Sequence, residues 1–417
     1  AAAAAAGIPI ESWQQIVADA AVGRRLIAVA GTHGKSTTSG WLAHVLIQAG
    51  LDPSAFVGAL LPPSISGGIP ATARVGSGSP FVVEADEYAG NFDAYQPDLA
   101  VLTSLEWDHP DVFADVSAVA DAFERWIRNI PSGSTFVANV GDAGVGALLD
   151  RIAASLPLRI ISVALTDETD DPGLGEDVLA GRYASGLGVA RPVTGRITAT
   201  SPSTTTLAIS GLDAGSVERT VSIPTAGRHN AVNALGVVGA ALGLGIEPGL
   251  ILNSLATFPG IGRRLERKGE AGGVVVYDDY GHHPSAIAAT IAAMRQREPG
   301  RRLWAVYEPL TFHRTAALMD EFASSLAAAD AVVVADIWAG RDPDTTIASA
   351  HGLADAVRGI DPGLLVAAPG SVEATAEWLA REVRPNDAVL VMGGGRSYRI
   401  GERLLELLRA TGDVGGI

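Results

Sequence analysis

The chain has 417 residues, 47% hydrophobic and 6% aromatic, with no cysteine and a formal net charge of −16. That length supplies core for two or three domains, the missing thiols exclude disulfide staples and thiol catalysis, and the acidic balance argues against nucleic-acid or anionic-membrane surfaces. No apolar run approaches the roughly 18 residues that span a bilayer, and the opening alanines lack the basic segment of a signal peptide, which fits a cytoplasmic protein.

In chain order, residues 11–21 predict a helix with Trp13, Ile16 and Val17 on one face. Leu26 to Ala30 is a short continuous apolar run, the pattern of a buried parallel strand. Gly31-Thr32-His33-Gly34-Lys35-Ser36-Thr37-Thr38 follows, then a helical pattern carrying Trp41, Leu42, Val45 and Leu46. Residues 51–79, rich in Gly, Pro and Ser, read as a loop with one short strand near Phe56 and Val57. A strand at 81–83 ends in Glu84-Ala85-Asp86-Glu87. Another, at 99–102, ends in Thr103-Ser104-Leu105-Glu106-Trp107-Asp108-His109. A helix at 116–129 and a strand at 136–139 follow. Residues 165–190, Asp- and Gly-rich, read as a variable loop, and the alternation over 191–223 reads as antiparallel β.

Helices at 230–242 and 248–257 lead to a linker at 258–262, after which the pattern restarts. Strands at 274–277, 303–307, 331–335, 364–367 and 388–392 alternate with helices at 284–295, 315–328, 350–358, 371–382 and 400–410. This predicts a second, doubly wound α/β domain.

Strand, glycine turn with Gly-Lys-Ser, helix is the pattern of a phosphate-cradling loop. Val29 stands where the longer form has its first glycine, so the loop is the short G-T-H-G-K-S. Gly34 lets backbone N–H groups close on phosphate oxygens, Lys35 reaches the β/γ-phosphates and Ser36 offers a hydroxyl to Mg²⁺. The competing reading is a tight turn with an exposed lysine. Only Lys35 and Lys268 are lysines, arginine supplying every other cationic side chain, so position 35 calls for a compact point charge. Arg228, Arg263, Arg264, Arg314 and Arg396 are the candidates to collect positive charge around a triphosphate.

Glu84 directly follows its strand, on the edge that presents Lys35, and suits a Mg²⁺ ligand; the alternative is a solvated acidic turn. His109, at a third strand terminus, reads as a metal ligand or substrate contact. Asn230 and Asn233 share a helix face that suits an adenine edge, although helix capping explains Asn230 equally well. Asp279 sits where an acidic residue commonly holds ribose. His282 and His283 point apart after their strand, which favours substrate or nucleotide contacts over a shared metal.

Taken together, GTHGKST, VEADEY, SLEWDHPD, GRHNAVNA, GIGRRLE, DDYGHHP and VLVMGGG, in this order over nearly the whole chain, resemble the Mur ligase family, ATP-dependent amide-bond formers of peptidoglycan synthesis. GTHGK, EADE and DDYGHHP resemble the branch acting on UDP-N-acetylmuramate, which adds L-alanine or, in recycling, a whole tripeptide. The resemblance implies an N-terminal UDP-binding domain, mostly absent here and represented by residues 1–22 at the tail of something longer. It implies a central P-loop ATPase domain with a parallel sheet at 23–262 and a C-terminal Rossmann-like ligase domain at 263–417.

It also implies ATP and Mg²⁺ as cofactors and small-molecule partners: UDP-N-acetylmuramate and an amino acid or short peptide, with no nucleic acid and no membrane. By the same resemblance, Lys35 stabilises the transferring phosphoryl group within the Gly31–Thr37 loop, and Ser36 and Glu84 hold one Mg²⁺. His109 serves a second, Asn230 and Asn233 hold adenine, Asp279 holds ribose, and Arg264 reaches the γ-phosphate on closure. His282 falls to the nucleotide, His283 and Arg314 to the substrate. The carbamylated lysine of several relatives has no counterpart.

Three departures stand out. Ser104 replaces a frequent asparagine, Arg396 replaces an acidic residue, and Pro309-Leu310-Thr311-Phe312-His313-Arg314-Thr315 departs from P-H-R-Y-[ST]-R-T while keeping Arg314. The last leaves the acceptor open between L-alanine and tripeptide, and leaves room for a silent nucleotide-binding paralogue.

Overall fold

The computed structural model describes residues 6–7, 10–166, 176–213, 217–340 and 342–414. The first sheet contains β1 (Arg25–Ala30), β2 (Ser54–Leu61), β3 (Ala71–Arg74), β4 (Pro80–Glu84), β5 (Leu99–Leu102), β6 (Thr135–Asn139), β7 (Arg159–Leu165), β8 (Arg191–Thr200), β9 (Thr205–Ser210) and β10 (Arg219–Ile223). Its order is β10-β9-β8-β7-β6-β5-β1-β4-β2-β3. Pairing is parallel from β2 through β8 and antiparallel at the edges. Ile27 to Ala30 are fully buried because both faces of β1 are covered. Helices Lys35–Gln48 and Arg228–Gly243 pack on one face, Val116–Arg128 and Ala143–Ile152 on the other. A strand buried on both sides needs apolar residues at every position, hence the run without alternation.

The second sheet holds β11 (Glu266–Ala271), β12 (Val274–Asp279), β13 (Arg302–Tyr307), β14 (Ala331–Ala335), β15 (Leu365–Gly370) and β16 (Asp387–Met392) in the order β11-β12-β16-β13-β14-β15. All pairs are parallel except β11 with β12. Helices cover both faces, so the doubly wound expectation holds.

The first sheet's topology places the site. The chain leaves β1 for β2 and β4 on one side, then crosses to β5 on the other. The carboxyl end of β1 is therefore a topological switch point, where α/β sheets open a ligand crevice.

Several segments differ from their sequence reading. Residues 51–79 are not one loop but β2, a short helix Pro63–Ser66 and β3. Glycine and proline hide the strand because Gly58 serves a neighbour: a Cβ there would lie 3.0 Å from Glu84 Oε2. Helix Glu176–Arg182 lies inside the expected 165–190 loop, whose residues 167–175 fall outside the described residues. The expected helix 315–328 is two, Phe312–Ala317 and Met319–Leu326, hinged at Leu318. The polar strand β11 has no apolar signature to betray it.

Gln296, on helix Pro284–Arg297, ties the second domain to the first. Its carbonyl accepts from Gly227 N at 2.9 Å and its amide donates to Ser201 O and Thr204 O at 2.9 and 3.1 Å. Gln296→Ala strands these backbone groups and should lower stability by about 1–3 kcal/mol in urea unfolding. An unchanged midpoint would show that the domains are not held at this point.

Candidate active site

The loop after β1 is shaped by two glycines in left-handed conformations, Gly31 at φ 129° and Gly34 at φ 81°. A Cβ at Gly31 would stand 2.8 Å from Ser104 N, and one at Gly34 would collide with the Asn233 amide. Gly34 precedes helix Lys35–Gln48 without a side-chain cap, so the first helical N–H groups are left for a ligand. They face a cavity of about 1200 Å³ lined from both domains. Thr32, His33, Gly34, Lys35, Ser36 and Thr37 line it. Gly31 lies behind, and its carbonyl accepts from Lys35 Nζ at 2.6 Å.

Lys35 is half-buried and also donates to Glu87 Oε2 at 2.8 Å, with Asp86 3.7 Å away. Burial alone would lower its pKa, but Glu87 and Asp86 win and raise it, so the ammonium stays charged. Burial pushes the Glu87 carboxyl above its ordinary value, although the Lys35 ammonium pulls the other way. Ser36 Oγ donates to Glu84 Oε1 at 3.0 Å, while Glu84 Oε2 accepts from Gly58 N at 2.6 Å. From the second domain, Arg264 Nη2 donates to the same Ser36 Oγ at 3.0 Å. Lys35, Ser36, Glu84, His109 and Arg264 therefore line one cavity.

His109 is held at φ 56° with its ring edge-on to Tyr88. Its Nδ1 accepts from Arg314 Nη2 at 3.2 Å, and Arg314 donates through Nε to Asp108 Oδ1 at 2.8 Å. Arg314 and Asp108 are both buried, one from each domain. Burial alone would raise Asp108, but Arg314 and His109 hold it well below the usual carboxylate range. Glu106 is similar: burial opposes ionisation, yet His33 and Ser285 bring it down to about 2.

Asn230 and Asn233 share a buried face on the cavity, but their amides already bond protein: Asn230 donates to Ala226 O at 2.8 Å, Asn233 to Asn230 Oδ1 at 3.4 Å. Asp279 accepts from Leu265 N and Gly281 N, both at 2.7 Å, and so shapes the turn around it. His282 contacts Tyr280 O at 2.9 Å, and burial, with Arg314 nearby, pushes its ring well below the ordinary value. His283 contacts Trp107 O at 3.1 Å instead, so the adjacent rings do diverge.

Of the five candidate arginines, Arg228, Arg264 and Arg314 line the cavity. Arg263 does not: it is committed to Asp278 at 2.9 Å and to Gly393 O and Ser397 at 2.8 Å, where burial raises Asp278 to about 6 despite the guanidinium. Arg396 is exposed beside Glu373 and also falls outside the lining. Ser104 has a local reason, its Oγ accepting from His33 N at 2.8 Å. The sequence reading selects Glu84 from its acidic turn and passes over Glu87 and Asp108, the buried partners of Lys35 and Arg314. Their signal is charge complementarity across distant segments, which spacing along the chain does not carry.

Residues 29–241 match the Mur ligase middle domain and residues 263–395 the Mur ligase glutamate ligase domain. Similar proteins include the UDP-N-acetylmuramate–L-alanine ligase of Frankia casuarinae, 37% identical over 98% of this chain and 81% of its own. Among solved structures, UDP-N-acetylmuramate–alanine ligase from Thermotoga maritima superposes with TM-score 0.75 at 21% identity, covering 98% of this chain and 81% of that one. A murein peptide ligase from Psychrobacter arcticus gives 0.68 at 24%, covering 98% and 82%. With both family domains matched in order and a relative of this identity aligned along nearly its whole length, the chain belongs to the Mur ligase family of ATP-dependent ligases.

Proposed function

We propose that this chain joins UDP-N-acetylmuramate to L-alanine in peptidoglycan synthesis, in the cytoplasm, through an acyl-phosphate intermediate. One observation carries the reading: groups suited to a triphosphate and to a carboxylate converge from two domains on a single cavity. We assign residues 23–262 to ATP binding and 263–417 to the ligase half. The relatives aligned at this level are alanine ligases, which favours L-alanine over a tripeptide acceptor.

The chemistry needs an activated carboxylate, because a free carboxylate is a poor electrophile. The γ-phosphoryl group passes to a substrate carboxylate oxygen and ADP leaves. The acceptor amine then attacks the acyl carbon, giving up a proton, and inorganic phosphate departs with its bridging oxygen. The protein's contribution is positioning and charge neutralisation. Lys35 keeps its charge on the cavity wall and is the ammonium aimed at the transferring group. Arg264 follows the phosphates from the other domain, and Asn230, Asn233, Asp279 and His282 frame the nucleoside end. Arg314, with His283, faces the substrate side.

The oxygen donors Ser36 and Glu84 suit Mg²⁺, and Asp86, Glu87 and His109 offer ligand atoms within 4.8 Å of one another for a second ion. Bound there, Mg²⁺ would supply charge to the phosphate oxygens. Closure of the domains shields the acyl phosphate from water.

Phosphate release from ATP should require UDP-N-acetylmuramate and L-alanine together. Release with a tripeptide but not alanine would move the chain to the recycling activity, and no release with either would sink the ligase reading. Lys35→Ala should cut that rate by roughly 10²–10³, the loss expected of one transition-state donor. Arg314→Met leaves Asp108 charged and buried, so it should cost about 3–5 kcal/mol of stability, and Asp108→Asn in the same chain should recover part of it. Additive losses on calorimetry would show that the two do not act as a pair.

A further inference from the structure

Within the same cavity lies a second convergence of side chains, one to which the Mg²⁺ positions above make no claim. We propose that His33, Glu106 and His283 form a transition-metal site of the zinc class joining the two domains, distinct from the Mg²⁺ positions. His33 Nε2 stands 3.6 Å from Glu106 Oε2, and His283 Nδ1 stands 3.8 Å from the same oxygen. All three ligand atoms lie within 4.8 Å of one another. Ligands around a tetrahedral zinc at about 2.0–2.2 Å are roughly 3.3–3.5 Å apart, so the two histidine–carboxylate distances need close by only a few tenths of an ångström. Two imidazoles and one carboxylate select zinc-like ions over Mg²⁺, which prefers oxygen alone.

The protonation pattern points the same way. Trp107 O can only accept, so the His283 nitrogen 3.1 Å from it, Nε2, carries the proton. Nδ1 then has its lone pair 3.8 Å from the Glu106 carboxylate, an arrangement of two acceptors that a cation between them would favour. The Ser285 N–H approaches that nitrogen at 3.4 Å, too long to satisfy it well. A histidine whose far nitrogen donates to a backbone carbonyl is the usual supporting arrangement of a metal ligand. Ser285 Oγ donates to Glu106 Oε2 and orients the carboxylate. His33 Nε2 is buried and makes no full hydrogen bond, the Glu106 oxygen at 3.6 Å lying just beyond that reach, and such a group calls for an explanation.

His33 and Glu106 belong to the first domain and His283 to the second. An ion held by all three would staple the domains shut two residues from Lys35, so the same metal that stabilises the fold would slow turnover. The metal site does not depend on which acceptor the ligase uses.

The test is a Co²⁺ titration of the full chain, followed by visible absorption. One equivalent should give a tetrahedral spectrum, displaced by Zn²⁺ but not by excess Mg²⁺, and Zn²⁺ should raise the melting temperature. His283→Gln, His33→Gln and Glu106→Gln should each weaken Co²⁺ binding by roughly tenfold or more, while His109→Ala keeps the spectrum. Glu106→Gln preserves shape and the Ser285 contact, so it decides the matter if a histidine variant does not fold. No tetrahedral spectrum in the parent chain, or one abolished only by His109→Ala, overturns the proposal.

Discussion

The guanidinium of Arg314, with Gln296 and Arg264, holds the two halves of this protein in register. The Arg314 guanidinium crosses from the second domain to Asp108 and His109 of the first, and both it and Asp108 are buried. Such a pair adds little net stability, because removing two charges from water costs about what their attraction returns. What it adds is geometry. Asp108 ionised with no counter-charge would be prohibitively placed, so the arrangement in which the domains meet otherwise is penalised. The loop carrying His109 is thereby pinned, and His109 takes a left-handed backbone conformation that a free loop would seldom hold.

The same logic governs the rest of the cavity. Lys35 bonds Gly31 O and Glu87, Ser36 bonds Glu84, Asn230 bonds Ala226 O, and Asp279 bonds two backbone amides. Each of these groups already has a protein partner, so at these positions a ligand exchanges hydrogen bonds instead of creating them. The net gain per contact is then modest, and affinity must come from the number of contacts and from closure. In a chain with net charge −16, this also explains how an anion is admitted. Lys35, Arg228, Arg264 and Arg314 are gathered at one cavity, and elsewhere arginines such as Arg263, Arg295 and Arg396 sit against acidic neighbours.

What could be read along the chain follows from periodicity and local spacing. The doubly buried strands β1, β5 and β14 are continuous apolar runs and are unmistakable, and the glycine turn beside Lys35 carries its own conformational signature. Strand β2 escapes because Gly58, which weakens its strand pattern, is there to admit Glu84. Strand β11 escapes because ERKGEA pairs at a sheet edge and buries little. Within the site, residues next to strand tips were legible, whereas Glu87 and Asp108 were not, since their importance lies in a partner fifty-two or two hundred and six positions away. Arg263 shows the converse error. Its place beside Arg264 suggests a shared role, yet one residue along an irregular segment turns it toward Asp278 and away from the cavity.

The altered segment 309–315 looks different once its backbone is considered. Thr311 sits at φ 61° and caps helix Phe312–Ala317 with its own hydroxyl, which starts that helix at the angle that sends Arg314 across the domain boundary. His313, on the next position, turns instead to Asp342, and Leu310 and Trp338 line the cavity alongside them. Leu310, Thr311 and His313, three of the departures in this segment, therefore line the cavity around a retained arginine. The Arg314 contact to Asp108 across the domain boundary is kept alongside these altered neighbours, so the geometry that joins the two halves is retained in this chain.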